Sequence, residues 1–323
     1  MLDRRQFLGA ASALGLMTIL PRVHAQAPDR VSMRMNWTWQ GHMAPFVLGK
    51  SLGYYEEAGI DAAFDEGRGS ATTVRLVGSG NETFGLSDTS TGIFAATEGV
   101  PVKQIFTLNV SDMSMIWVEG KTNIETGKDL AGKSIATTGG DAGHQLLEAV
   151  LAASELKLSD IKLILLDPSA KVSALRENRV DILIGGAADQ PVILRSQGVP
   201  ALSKTFGELG LQTLGLGILV NGDAPGKHGD IIKRFVSATR KSWMKAAEDP
   251  EAAVAAMLNV ARLDREILLG SLKVIIGLLT DRDRIGYTPD DLMQSTFDAL
   301  RKYRGLKATL TPGDYYSNAF ISA

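Results

Sequence analysis

Strand-like and helix-like segments alternate along this chain in two successive runs, and a helix-rich stretch follows them. The first run reads strand at 31–37, 61–65, 83–86 and 102–108, with helices at 44–57, 70–77 and 92–98 between them. The second reads strand at 133–138, 161–166 and 180–184, with helices at 144–155, 170–177 and 190–197. Such alternation predicts an α/β architecture with mostly parallel sheets. Apolar strands at 115–118 and 214–220 lead into and out of the second run. Beyond Gly222 the spacing of apolar residues predicts helices at 230–247, 250–260, 265–279 and 290–303, two of them entered through Pro250 and Pro289.

One α/β unit inserted between the halves of another predicts two lobes joined by two crossing strands. The cleft between the lobes would be the site and the crossings the hinge. The length of 323 residues and a 45% hydrophobic content supply enough apolar material for two domains. Expected boundaries are 1–25 for an export signal, 29–112 with 219–323 for lobe 1, and 113–218 for lobe 2.

The export signal is read from Asp3-Arg-Arg-Gln-Phe-Leu8, an apolar run over 10–20 and Val23-His24-Ala25 before a cleavage site. The arginine pair resembles a twin-arginine motif, with Asp3 where Ser or Thr is usual. A general secretory signal stays open. The apolar run is too short to span a bilayer comfortably. Cysteine is absent, which excludes disulfides, thiolate metal sites, cysteine nucleophiles and a lipoprotein anchor. A periplasmic protein, exported and without a lipid anchor, is expected. The net charge of −2 gives no electrostatic case for nucleic acid or an anionic membrane.

The richest stretch is Asn36-Trp-Thr-Trp-Gln-Gly-His-Met-Ala-Pro45, leading to Gly53-Tyr-Tyr-Glu-Glu-Ala-Gly-Ile-Asp61. If the strand continued through it, Trp37 and Trp39 would project to one side, where an indole could stack on a planar ligand. Trp39, nearer the turn, is the favoured contact. His42 opens the next helix, where imidazole tends to stay neutral and can hydrogen-bond a ligand.

The chain resembles the solute-binding proteins of ABC importers for nitrate, sulfonates, taurine and thiamine-type pyrimidine precursors. The carrying residues are Gly53–Asp61 as quoted, Gly67-Arg-Gly-Ser70, Phe84-Gly-Leu-Ser-Asp88, Asp129-Leu-Ala-Gly-Lys-Ser-Ile-Ala136 and Val180-Asp-Ile-Leu-Ile184. The resemblance implies the two-lobed periplasmic binding protein fold (type II), with two hinge crossings and a helical C-terminal part. It also implies capture of a small solute for an inner-membrane ABC permease, by a monomer without a cofactor.

In such a fold the loops at strand ends face the cleft. Gly67-Arg-Gly-Ser70 offers close backbone approach, the Arg68 charge and the Ser70 hydroxyl. Asp88 and Thr89 end a strand, where a carboxylate accepts from a ring N–H. Gly140, Asp141 and His144 form the matching loop of lobe 2, and Asp189 with Gln190 ends its last strand. Ser70, Asp88, Thr89, Asp189 and Gln190 would serve equally well as ordinary helix caps, and Arg68 as a solvated surface charge. Metal binding is not expected, because the four histidines lack ligand spacing. No Gly-x-Ser-x-Gly elbow is present.

The expected function is delivery of a small, aromatic or pyrimidine-like solute to a permease, without catalysis. A nitrate, sulfonate or taurine binder is an alternative, weakened by Arg68 being the one obvious cation among these contacts. A pyrimidine-precursor synthase on the same fold, using a histidine and a pyridoxal cofactor, is another. The export signal and the missing cysteine-rich motif of those enzymes count against it. A sensory binding module is the last.

Overall fold

A computed structural model describes residues 27–307 and 309–321, so the expected export signal lies outside the described residues. The strands, in chain order, are β1 (Asp29–Arg34), β2 (Ile60–Asp65), β3 (Phe84–Asp88), β4 (Val102–Thr107), β5 (Met113–Val118), β6 (Ser134–Thr137), β7 (Lys162–Leu165), β8 (Ile182–Gly186), β9 (Ala201–Thr205) and β10 (Leu216–Asn221). They form two five-stranded sheets, ordered β2-β1-β3-β10-β4 and β7-β6-β8-β5-β9. Each sheet is parallel except for one strand. In the first, β10 runs antiparallel to both β3 and β4. In the second, β5 runs antiparallel to both β8 and β9. Each antiparallel strand is the one by which the chain arrives from the other sheet. The sheet pattern therefore follows directly from a chain that crosses twice.

The crossings, 108–112 and 206–215, are bound to each other. The Gly215 N–H donates to Asn109 O at 2.8 Å, and the Ser111 N–H to Thr213 O at 2.9 Å. The Asn109 side-chain oxygen accepts the Leu216 N–H at 3.1 Å. Gly215 suits this approach, since a Cβ there would meet the Asn109 amide at 2.8 Å.

The first sheet is covered by helices whose apolar faces close its core. Val31 and Met33 of β1 point inward in alternation, and Met35 just past the strand end is buried with them. Phe84 of β3 stacks on Phe235 of the helix Gly229–Glu248, with centroids 3.9 Å apart. Trp243, from the same helix, meets Phe46 edge-on. The expected helix over 44–57 divides into Ala44–Ser51 and Tyr54–Glu57. Gly53 between them has φ 74°, a left-handed turn that ends the first piece. The strand β9 was not expected; its sequence Ala-Leu-Ser-Lys-Thr is short and barely apolar.

The C-terminal helices reach the second sheet's layer as well. Arg304 pairs with Glu148 at 2.6 Å, and Gly270 in the helix Arg265–Gly277 lies close against Val192. Among the described residues no helix is long and apolar enough to cross a membrane.

Candidate ligand-binding cleft

Residues of both sheets' strand ends meet at a cavity of about 70 Å³ beside the crossings. That volume holds a few waters and falls well below the roughly 300–1,000 Å³ of a typical small-molecule pocket. The cleft walls approach one another closely here, and the space opens to solvent on its outer side.

Lobe 1 contributes Asn36, Trp37, His42, Ser70 and Asp88. The chain leaves β1 at Arg34 and bends through 36–39 instead of continuing as strand. The loop before the helix Ser70–Gly78 pins this bend, for the Gly67 N–H donates to Trp37 O and the Gly69 N–H to Asn36 O, both at 2.9 Å. A Cβ at Gly67 would lie 1.8 Å from Met35 O, so the close approach requires glycine. Ser70 accepts the Asp88 N–H at 3.0 Å on its hydroxyl. Asp88 caps the helix Thr89–Thr97 through the Thr91 N–H at 3.1 Å and lines the cavity as well. Capping and site roles coincide in this residue.

Lobe 2 contributes Asp141, Lys171, Asp189 and Gln190. Asp141 caps the helix Ala142–Ala153 through the His144 N–H at 2.7 Å and accepts from the Thr137 hydroxyl. Its other oxygen takes the Lys171 ammonium at 3.2 Å. Lys171 is only 2% exposed, also donates to Ile184 O at 3.0 Å, and lies 5.5 Å from the Trp37 ring centroid. His42, 3% exposed, faces Asp189 with Nδ1 and Oδ1 3.5 Å apart. Asp112, from the first crossing, completes the wall. A Cβ at Gly186 would fall 2.8 Å from Asp112 Oδ2 and 3.0 Å from Asp189 Oδ2, so both carboxylates crowd one bare backbone position.

The electrostatics follow from this crowding. Burial pushes the Asp88 carboxyl up to about 7, and the nearby Asp112 charge adds to it. Burial, then the Asp189 charge, pushes Asp112 up to about 6. Burial opposes protonation of His42, but the carboxylates of Asp189 and Asp112 outweigh it and raise its pKa. The expected neutral histidine is therefore reversed in tendency, because the dominant partners are two carboxylates and not a helix end. Several buried atoms at this wall have no hydrogen-bond partner in the protein: Asn36 Oδ1, Asp189 Oδ1, Gln190 Oε1 and both ring nitrogens of His42.

The other expected residues lie off the cavity. Trp39 faces an outer hollow with Glu66, Val260 and Arg262, and its backbone N–H donates to Glu66 Oε1 at 2.8 Å. The bend at 36–39 turns the two indoles apart, so the one on the cavity is Trp37. Arg68 is exposed in an adjoining hollow that Trp39 also borders, because the flanking glycines bind Asn36 and Trp37 and point the residue between them outward. The Thr89 hydroxyl donates to Gly215 O at 2.7 Å and so braces the second crossing. Gly140 lies on the exposed side of its turn and donates to His144 Nδ1 at 3.3 Å, which occupies both residues locally. Lys171 and Asp112 went unnoticed in the sequence. Lys171 sits at the start of the helix Pro168–Arg176, a strand-to-helix position like Ser70 and Asp141, and that placement was the available signal.

Comparison with known proteins supports this architecture. Riboflavin-binding protein RibY of Chloroflexus aurantiacus is 24% identical, over 94% of this chain and 90% of that protein. The 4-amino-5-hydroxymethyl-2-methylpyrimidine phosphate synthase of Schizosaccharomyces pombe is 26% identical over 69% of this chain and 67% of the enzyme. The periplasmic aliphatic sulphonate binding protein SsuA from Escherichia coli superposes with a TM-score of 0.70 at 19% identity, covering 89% of this chain and 91% of that one. The nitrate-binding protein NrtA from Synechocystis PCC 6803 gives 0.66 at 14% identity, covering 91% and 87%. The fold is thus the two-lobed one of periplasmic binding proteins. Residues 40–253 match the NMT1/THI5-like family model, and the chain belongs to the NMT1/THI5-like family.

Proposed function

We propose that the chain is the solute-binding component of an ABC importer, exported to the periplasm, where it captures a flat nitrogen heterocycle between its lobes. The lobes would divide near the crossings, at about 112 and 215. Closure on the ligand presents the form that docks on a permease, with population shift as the physical basis. The observation that carries the ligand class is the balance of the wall. Four carboxylates, Asp88, Asp112, Asp141 and Asp189, face only Lys171 and His42 in this wall, and the unpartnered amide oxygens of Asn36 and Gln190 add acceptors. Such a wall suits a neutral or cationic ligand rich in N–H donors and disfavours nitrate or a sulfonate, whose charge would meet like charge. Trp37 supplies the flat surface.

Binding rather than catalysis is supported by the extent of the relatives. The protein named for riboflavin binding aligns over nearly the whole chain, whereas the synthase aligns over about two-thirds of it.

A thermal-shift screen of residues 26–323 tests the reading, with riboflavin, pteridines and pyrimidines set against alkanesulfonates, taurine and nitrate. A heterocycle at about 100 times its dissociation constant adds roughly 2.7 kcal/mol of stability. A shift produced by sulfonates or nitrate alone overturns the proposal.

A further inference from the structure

We infer that Lys171 is a specificity-determining residue, which donates a hydrogen bond to a carbonyl oxygen on the ring held at Trp37. The site would then select oxo-heterocycles over their amino counterparts. This rests on the binding reading above and sharpens its substrate class.

The acceptors of the wall are many, and Lys171 is the one ammonium among them. An ammonium carries three N–H groups. Two are accounted for, by Asp141 Oδ2 at 3.2 Å and Ile184 O at 3.0 Å. The group stands 5.5 Å from the Trp37 ring centroid, facing the opposite lobe, in a residue that is only 2% exposed. A ring stacked on Trp37 lies roughly 3.5–4 Å from it at van der Waals contact. The ligand thus arrives beside Nζ and screens the third N–H from both the indole and water. A ring that turns an exocyclic amino group toward Nζ in place of the carbonyl sets donor against donor and leaves that N–H buried without an acceptor, the costly outcome for a charged group. The complementary ring turns a carbonyl oxygen toward Lys171 and its N–H groups toward Asp88, Asp112 and Asp189. Such a division of donors and acceptors discriminates far better than shape, because a site built for a polar contact rejects the analogue that lacks it.

The test uses two rings of the same shape, lumazine (pteridine-2,4-dione) and 2,4-diaminopteridine, titrated calorimetrically into the full mature chain. Wild type is expected to bind lumazine about tenfold or more tightly, the range of a hydrogen bond to a charged group. Lys171→Met is expected to weaken lumazine and bring the two affinities within about threefold. That variant leaves Asp141 without its cation, so the double variant Lys171→Met with Asp141→Asn is measured in parallel, and circular dichroism checks folding. A merely structural lysine would weaken both rings together and preserve their ratio, and that result overturns the inference. Equal or tighter wild-type binding of the diamino ring overturns it too. If neither ring binds at millimolar concentration, the heterocycle reading itself fails and this inference falls with it.

Discussion

The Lys171 ammonium and the Trp37 indole meet across the cleft, 5.5 Å apart, one from each lobe. They lie in the range of a cation–π contact, and both border the cavity. The pair marks the wall on which a flat ligand would lie.

Trp37→Ala should therefore weaken binding of lumazine by about 1–3 kcal/mol, the usual worth of stacking on an aromatic side chain. Trp39→Ala, on the outer hollow, should leave the affinity within about twofold. Calorimetric titration of both variants decides the matter. A larger loss at Trp39 than at Trp37 would contradict the assignment.

Gly67 sets the position of Trp37. A Cβ there runs into the Met35 carbonyl, which is backbone and cannot turn aside. Gly67→Ala is expected to cost about 1–3 kcal/mol of stability by crowding and to weaken ligand binding along with it, since the Gly67 N–H holds Trp37 O. Urea unfolding followed by titration measures both. Unchanged stability would mean that the loop has room to move.

Stability should depend on pH in a definite direction. Folding raises the pKa of Asp88, Asp112 and His42. The folded chain then binds more protons than the unfolded one from about pH 4 upward, so its stability is full at the acid side of that range and falls as pH rises through 7. The lowered carboxylates Asp129, Asp181, Asp281 and Asp314 act below about pH 4, outside this window. Between pH 5 and 8 the unfolding free energy should drop by about 4 kcal/mol from Asp88 and Asp112 together. Asp88→Asn should flatten much of that slope. A profile that is flat or climbs over this range would contradict the raised cleft carboxyls.

His42 offers a spectroscopic check. Its raised pKa depends on Asp189, 3.5 Å away, and on Asp112. Asp189→Asn should lower the His42 midpoint, as loss of a nearby opposite charge does. Proton NMR titration of the imidazole reads this directly, and an unmoved midpoint would assign the shift to another group.

Much of the fold was legible because its signals are local. The strand before Trp37, the helix begun at Pro45 and the glycine stop at Gly53 each follow from periodicity and turn chemistry. The alternation also foretold two units and two crossings. The site was legible in part, through residues that also cap helices: Asp88 and Asp141 are fixed by strand-to-helix turns that any sequence reader can find. Two kinds of information were out of reach. Side-chain direction in an irregular turn depends on tertiary hydrogen bonds, so the bend at 36–39 that separates Trp37 from Trp39 could not be read from spacing. Charge pairing across lobes depends on residues far apart in sequence, so neither the partner of His42 nor the burial of Lys171 showed itself.

The laced crossings have a mechanical consequence. Two chain segments tied by hydrogen bonds between Asn109 and Gly215 cannot slide past one another, yet they can flex together as a ribbon. Were the lobes to part, the contacts of the C-terminal helices with lobe 2, such as Arg304 with Glu148, would have to give way while this ribbon held, as the spine of a book holds its covers. Asp112, on the spine, would then keep its place while Trp37 and Lys171, on the facing pages, would separate. A ligand entering the open molecule would find Asp112 already set, and the indole and the ammonium would arrive only as the covers shut.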